Sequence, residues 1–182
     1  MTVWNWCAFS SRRCACRSWP LDCLSAAAHS GSCLVFRHLW DGVVHRGVGL
    51  AQRDLGEIHA SAVRNAIDNS DLNMMRMLLE DLEFPCSRGH AGHAVFLGDL
   101  EMVRYLCRVR GTNLFTEDAL LNAIVGGWNL IVRPLVEEVG LVAGTAEHVR
   151  LALHHRGLLL NPSKDAARQD IVGFLQSKGP PV

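Results

Sequence analysis

Apolar residues recur at helical spacing on both sides of a glycine in residues 94–106, AVFLGDLEMVRYL. Leu100, Val103 and the final leucine lie three residues apart, a spacing that places side chains on one face of a helix. Gly98 can end a first helix in the left-handed conformation that glycine adopts most easily. Asp99 can then accept the free amide hydrogens at the start of a second helix. The pattern therefore predicts two helices joined by a tight glycine turn.

Three further copies of this stretch align with it, at residues 27–39, 66–78 and 123–135. Each copy begins with alanine, ends with leucine and has an arginine two positions before that leucine. A fifth copy starts at residues 151–157 and resumes at residues 170–175, after the insertion LLLNPSKDAA. Repeats of this kind cannot bury their apolar faces alone and therefore stack on one another. The sequence predicts an all-α solenoid of four to five stacked helix-turn-helix repeats.

The segments between the copies are predicted to be connectors. Residues 41–56, DGVVHRGVGLAQRDLG, are rich in glycine and are predicted to form an extended loop or finger. Shorter connectors follow around Pro85, Gly111 and Gly140, because proline and glycine interrupt the helical pattern there. Thr116 precedes two acidic residues, and we expect it to cap the next helix.

The central copy resembles the ankyrin repeat, whose family pattern is A-A-x-x-G-H-L-E-V-V-K-L-L. The matching positions are Ala94, Gly98, Leu100, Glu101, Val103 and Leu106. The T-P-L-H segment that opens family repeats is missing, and the stretch GHAGHA stands in its place. The resemblance therefore concerns the helix pairs more than the β-hairpin fingers. It implies a protein that binds other proteins through a concave face and inter-repeat tips, without catalysis and without a cofactor.

The tips between repeats contain the candidate partner-binding residues. These are Arg88, His90, Arg108, Arg110, Asn113 and Phe115. Arginine and aromatic side chains are the types that most often anchor protein interfaces. In the alternative interpretation these residues belong to ordinary solvated loops, and the aromatic ring packs against the next helix instead.

A second hypothesis, from another functional class, is a small metal-dependent or unpatterned enzyme on a helical fold. Cys86, His90 and His93 have the spacing C-x3-H-x2-H, which could supply three zinc ligands. The spacing is irregular for zinc, and a loop thiol beside two structural histidines would account for the same residues. Dinucleotide, phosphate-loop and nucleophile-elbow motifs are absent from the sequence. We therefore predict no catalytic residue, no metal site and no cofactor.

Arginines at one repeat position form the most regular polar feature, at Arg37, Arg76, Arg104 and Arg133. Equivalent positions of a solenoid lie above one another, so these side chains form either a basic ladder for an acidic partner or a solvated face. Three of them have an acidic residue four positions later: Asp41, Glu80 and Glu137. Ion pairs within each helix favour the solvated face.

Composition limits the classes of partner. A chain of 182 residues with 49% hydrophobic content is expected to form one domain with its own core. The formal net charge is zero, which offers no electrostatic basis for holding nucleic acid or a membrane surface. No apolar run is long enough to span a bilayer. Nucleic acid and a membrane are therefore not predicted partners, and the ankyrin resemblance implies that the partner is another protein.

The ends of the chain differ from its centre, which divides it into a leader (1–22), a repeat domain (23–178) and a tail (179–182). The leader has arginines and serines and no acidic residue before Asp22, a composition closer to an organellar transit peptide than to a secretory signal. It is otherwise a poorly ordered or capping segment. An odd number of cysteines, seven, favours reduced thiols. We expect an intracellular, cytoplasmic protein, with organellar import as the alternative.

Overall fold

A computed structural model describes residues 19–45, 52–142, 147–148, 150 and 162–178. Within these ranges every regular element is helical and none is a strand. The all-α class predicted from the hydrophobic pattern is therefore confirmed. The tail and residues 1–18 of the predicted leader lie outside the described residues, and the first described helix begins at Trp19, still within that leader.

Four helix-turn-helix pairs follow one another along the chain. They are α1 (Trp19–His29) with α2 (Cys33–His45), α3 (Gln52–Asp68) with α4 (Leu72–Arg76), α5 (Arg88–Leu97) with α6 (Leu100–Arg110), and α7 (Glu117–Gly126) with α8 (Asn129–Glu137). Helix α4 continues as a π-helix, Met77–Asp81, and a 3-10 turn, Thr112–Leu114, follows α6. The last described helix is α9 (Pro162–Lys178). We call α1, α3, α5 and α7 the first helices, and their partners the second helices.

The turn within each pair has the same hydrogen bonds in all four copies. The carbonyl of the alanine that opens the copy accepts an amide hydrogen from five residues later, over 2.9–3.2 Å. The acceptors and donors are Ala27 and Ser32, Ala66 and Asp71, Ala94 and Asp99, and Ala123 and Trp128. This is the bond of a Schellman turn, in which one residue has a positive φ. Glycine supplies it in three copies, and Ser70, with a φ of 52°, in the other.

Aspartate caps the second helix in two of these turns, as predicted. Asp99 accepts the amide hydrogen of Met102 over 3.0 Å. Asp71 accepts those of Asn73 and Met74 over 3.0 and 2.9 Å. Thr116 stands at the predicted position before α7, but its side chain makes no capping hydrogen bond. The position of the α7 cap was therefore predicted correctly, but the predicted capping by the Thr116 side chain is not seen.

Consecutive pairs stack in chain order. Helix α3 packs between α1 and α5, α5 packs in turn against α7, and α8 lies between α6 and α9. The residues that open and close each copy form much of the core. The opening alanines are all buried, as are three of the four closing leucines: Leu78, Leu106 and Leu135. Small opening residues allow the first helices to approach closely, and each pair covers the apolar face of the next.

Successive turns touch at a glycine at two junctions. A Cβ atom on Gly31 would lie 2.9 Å from Oδ2 of Asp71, and a Cβ atom on Gly98 would lie 2.6 Å from Cε2 of Trp128. Asp71 and Trp128 occupy the same position of their copies. The Trp128 indole also donates a hydrogen bond to the carbonyl of Phe96 over 3.3 Å. At both junctions, the side chain of the later turn lies against the glycine of the earlier one.

The π-helix after α4 leads into a loop that is anchored in the core. The amide of Leu82 donates to the carbonyl of Met77 over 3.0 Å, a bond five residues long that is typical of a π turn. Phe84 is then buried between Trp40 and His59, with ring centroids 4.8 and 4.1 Å away. The loop therefore ties the second pair to the first.

The extended loop predicted for residues 41–56 is largely helical. Residues 41–45 belong to α2 and residues 52–56 to α3, while residues 46–51 lie outside the described part of the chain. Val43 is buried and holds the end of α2 against the core. Burial therefore outweighs the low helix propensity of the glycines in this segment.

Six of the ten residues of the insertion predicted in the fifth copy also belong to a helix. The segment from Pro162 onward forms the start of α9. Proline is favourable in the first turn of a helix, where its missing amide hydrogen would have no partner. Ile171, Phe174 and Leu175 are buried near the other end of the helix. Residues 151–161, the rest of this region, lie outside the described residues.

Candidate functional site

An open groove of about 570 Å³ crosses the exposed faces of three consecutive first helices, α3, α5 and α7. Its floor is α5, and α3 and α7 form its walls. The lining residues are Arg64, Arg88, Gly89, Gly92, His93, Phe96, Thr116, Asp118, Ala119 and Asn122. A concave surface that combines apolar and charged side chains is the usual form of a binding site.

The groove exists because α5 has glycines where the neighbouring first helices have side chains. Gly92 occupies the repeat position of Arg64, and Gly89 occupies that of Asp118. A Cβ atom on Gly92 would meet nothing within 4 Å, and one on Gly89 would meet only Oγ of Ser87, at 3.6 Å. Glycine inside a helix costs about 0.5–1 kcal/mol relative to alanine. Packing within the chain does not require either glycine.

Phe96 closes the groove at the C-terminal end of α5. It is 64% exposed, although it is a large apolar side chain. Its ring stacks on that of His93, with centroids 6.4 Å apart and an angle of 14° between the planes. Nε2 of His93 lies 2.5 Å from Oδ1 of Asp68 on α3. The exposed phenyl ring therefore rests on a histidine that is itself held by a hydrogen bond to Asp68 of the preceding first helix.

Two arginines contribute positive charge to the groove. Arg88 is exposed in the first turn of α5 and forms no ion pair with the described part of the chain. Arg64, on α3, lies 4.0 Å from Asp68, the carboxylate already bound to His93. Asp118 is the one acidic residue in the lining. The lining therefore has two positive charges and one negative charge.

His90, one of the predicted tip residues, has a structural role in α5. Its Nδ1 accepts the amide hydrogen of Ser87 over 3.2 Å, and Oγ of Ser87 accepts the amide hydrogen of His90 over 3.4 Å. Burial, followed by the charges of Arg64 and His93, lowers the pKa of His90, and a backbone hydrogen bond with Ala60 opposes this shift. His90 therefore holds the start of the helix as a neutral imidazole.

Arg110 and Phe115, also predicted to contact a partner, are turned toward the protein. Nη2 of Arg110 donates to the carbonyls of Leu79 and Phe84, over 3.0 and 2.9 Å. Phe115 is buried, with 4% of its surface exposed. The arginine secures the loop after the π-helix, and the phenyl ring belongs to the core. The phenyl ring packs locally, as in the alternative interpretation, while Arg110 remains exposed to solvent.

The remaining tip residues lie on three different elements. Arg108 is exposed on α6, with its guanidinium 5.7 Å above the centre of the Tyr105 ring. Asn113 is exposed in the 3-10 turn beyond it. Arg88 lies in the groove, on a first helix. Of the six predicted residues, Arg88 alone lines the groove.

The residues proposed as zinc ligands do not form a metal-binding group. Within the described ranges, no three histidine, cysteine or acidic side chains are placed so that they could hold a metal ion. His90 is engaged with Ser87, and His93 with Asp68. Burial raises the pKa of the Cys86 thiol to about 11, although the charge of Arg110 opposes the shift. The thiolate that binds zinc is therefore disfavoured.

The arginine column does not form the ion pairs predicted within each helix. Arg37 pairs with Asp81 of the following repeat over 2.6 Å, and Arg104 pairs with Glu101 over 3.5 Å. The guanidinium of Arg133 lies 4.8 Å from the centre of the Phe174 ring. Two of the three predicted acidic partners are used elsewhere, since Tyr105 donates to Glu80 and Lys178 pairs with Glu137. Two of these arginines thus connect neighbouring elements of the stack.

Comparisons with protein-family models, with curated proteins and with solved structures found no match for this chain. Among the described residues, no helix has both the length and the apolar character that a membrane crossing requires. The function is therefore inferred from the groove and its residues.

Proposed function

We propose that this chain is a non-catalytic protein-interaction module built on an ankyrin-like solenoid. Four pairs with one turn geometry, stacked through equivalent alanines and leucines, support this proposal for the fold. Stacked repeats present a continuous surface across neighbouring units, and such surfaces are used to bind extended partners. The groove over α3, α5 and α7 lies on that surface.

Exposure of Phe96 is the observation that carries the proposal. A phenyl ring that is 64% exposed, in a groove and between charged residues, has the composition of an interface centre. Its support on His93 holds the ring in one orientation, which reduces the entropy lost on binding. The partner proposed is another protein, bound without a cofactor.

Affinity capture with groove variants tests this function. The full chain, its Phe96→Ala variant and a Leu130→Ala control are immobilised, and proteins captured from an extract of the source cells are quantified by mass spectrometry. Leu130 is 70% exposed on α8, outside the groove, so it controls for the loss of any exposed apolar side chain. We expect a protein captured by the full chain and by Leu130→Ala to be lost with Phe96→Ala. Equal capture by all three proteins would contradict a binding role for the groove.

A further inference from the structure

The groove has a length and a shape that limit what can occupy it. The inference below rests on the proposed function. Arg88 and Phe96 stand at the two ends of the α5 floor, eight residues apart, or about 12 Å along a helix. An extended chain advances about 3.3 Å per residue, so about four residues cover this distance. A short extended segment therefore fits between the two ends.

The floor of the groove allows a backbone to approach closely. Gly89 and Gly92 leave the helix surface bare, and the space above Gly92 is open to at least 4 Å from the position of a Cβ atom. Arg64 and Asp118, on either side, provide walls with hydrogen-bonding groups. A segment lying along α5 would place its main chain over the glycines and its side chains at the two ends.

The two ends favour different side chains. The lining has two arginines, Arg88 at the N-terminal end and Arg64 at the level of Gly92, and one acidic residue, Asp118. Asp68 is already shared between His93 and Arg64. Because the lining has two positive charges and one negative charge, charge complementarity favours an acidic side chain beside Arg88. At the other end, the exposed ring of Phe96 favours an apolar or aromatic side chain.

We propose that the groove binds an extended segment of a partner protein in which an acidic residue and a large apolar residue are four positions apart. Side chains at positions i and i+4 of an extended chain lie on the same face, about 13 Å apart. This separation matches the distance between the ends of the groove. The carboxylate pairs with Arg88 and Arg64, and the apolar side chain packs on Phe96.

A displayed library of random heptapeptides, selected on the full chain, tests this specificity. We expect selected peptides to carry Asp or Glu four positions from Leu, Phe or Trp. The affinity of a selected peptide is then measured by fluorescence anisotropy. Gly92→Leu fills the groove and Arg88→Glu reverses its charge, so each should weaken binding at least tenfold. A peptide with Lys in place of the acidic residue should bind Arg88→Glu more tightly than the original peptide does.

Two control variants separate blockage of the groove from general damage. Gly56→Leu introduces the same side chain into α3 at a helical glycine that also has nothing within 4 Å of its Cβ position. Arg104→Glu reverses an exposed charge on α6. Both should bind the peptide as the unchanged chain does. Enrichment of basic peptides, no enrichment, or equal binding by Gly92→Leu and Gly56→Leu would overturn the inference.

Failure of this inference can be distinguished from failure of the proposed function. If Phe96→Ala abolishes capture of a cellular protein but no heptapeptide is selected, the groove binds a folded surface, and the extended-segment proposal is wrong. If Phe96→Ala changes neither capture nor peptide binding, both proposals are wrong.

Discussion

The indole ring of Trp128 occupies the position in which a side chain on Gly98 would lie. A Cβ atom there would be 2.6 Å from Cε2 of the ring, well inside van der Waals contact, and the φ of Gly98 is 79°. The glycine is thus required twice, by its own backbone and by the next turn of the stack. Trp128 replaces the aspartate cap of other copies and gains this contact instead.

We expect Gly98→Ala to lower the free energy of unfolding by about 2–5 kcal/mol, the sum of left-handed backbone strain and overpacking. Gly140 provides a matched control, because it has the same φ of 79° and nothing within 4 Å of its Cβ position. Gly140→Ala should therefore show the backbone contribution alone, about 1–2 kcal/mol. Urea unfolding measures the free energy of unfolding of both variants. Equal losses of stability would mean that the Trp128 ring moves aside at no energetic cost.

Ser70 is the position at which glycine should improve the fold. It occupies the left-handed site that glycine holds in the other copies, with a φ of 52°. We expect Ser70→Gly to raise the free energy of unfolding by about 1 kcal/mol, since a left-handed non-glycine residue is strained by about that amount. Glu83, with a φ of 55°, allows an independent test in a different loop. Loss of stability in both variants, measured by urea unfolding, would contradict this expectation.

Arg110 should act on stability rather than on recognition. Its two hydrogen bonds to the carbonyls of Leu79 and Phe84 hold the loop after the π-helix. We expect Arg110→Ala to lower the free energy of unfolding by about 1–3 kcal/mol, because both acceptors lose their partner. Arg108→Ala, at an exposed neighbour, should change it by less than about 0.5 kcal/mol. Thermal unfolding that is equal for the two variants would show that the loop does not depend on Arg110.

His90 should make stability depend on pH. Because burial and nearby positive charges lower its pKa below the ordinary value of 6.5, the unfolded chain takes up this proton at a higher pH than the folded chain. The contribution is complete above about pH 6.5 and decreases as the pH falls toward the folded pKa. His90→Gln keeps a capping side chain that does not titrate, so its urea stability should fall less between about pH 7 and about pH 5.

His59 should account for part of the pH dependence of stability that remains in the His90→Gln variant. Burial also lowers the pKa of His59, so some loss of stability at acidic pH should remain in the His90→Gln variant. An unchanged slope in His90→Gln would mean that His90 is not held neutral in the folded protein.

The turns could be predicted from the sequence because they are local. Glycine or serine at one position, alanine four residues earlier and aspartate one residue later determine the bonds seen in the structure. The prediction of a loop over residues 41–56 was wrong. Burial of Val43, a tertiary effect, overrides the low helix propensity of glycine. The ends of α2 and α3 depend on tertiary contacts, which the hydrophobic periodicity of the sequence does not reveal.

The sequence analysis did not predict the groove, because its candidate residues were chosen mainly from the connectors and the groove lies on the first helices. Arg110 and Phe115 are suitable residue types for an interface, but their side-chain directions are set by the loop and the core. A signal was present in the aligned copies. Gly92 stands where another copy has Arg64, and Phe96 stands where that copy has Asp68. An apolar residue where the preceding copy has aspartate, one turn from a glycine where that copy has arginine, is a signal of a change in this surface.

The π-helix Met77–Asp81 affects how this chain can tolerate changes in length. A π turn accommodates one more residue than an α turn along nearly the same axis, so it holds a residue that the helix can lose. Deleting one residue here would restore α-helical bonding and leave the segments on either side close to their present places. The same deletion in α6 would rotate everything beyond it by about 100° and expose the buried face. Among the second helices, α4 with its π-helical continuation is therefore the one in which a lineage could lose a residue without disrupting the stack.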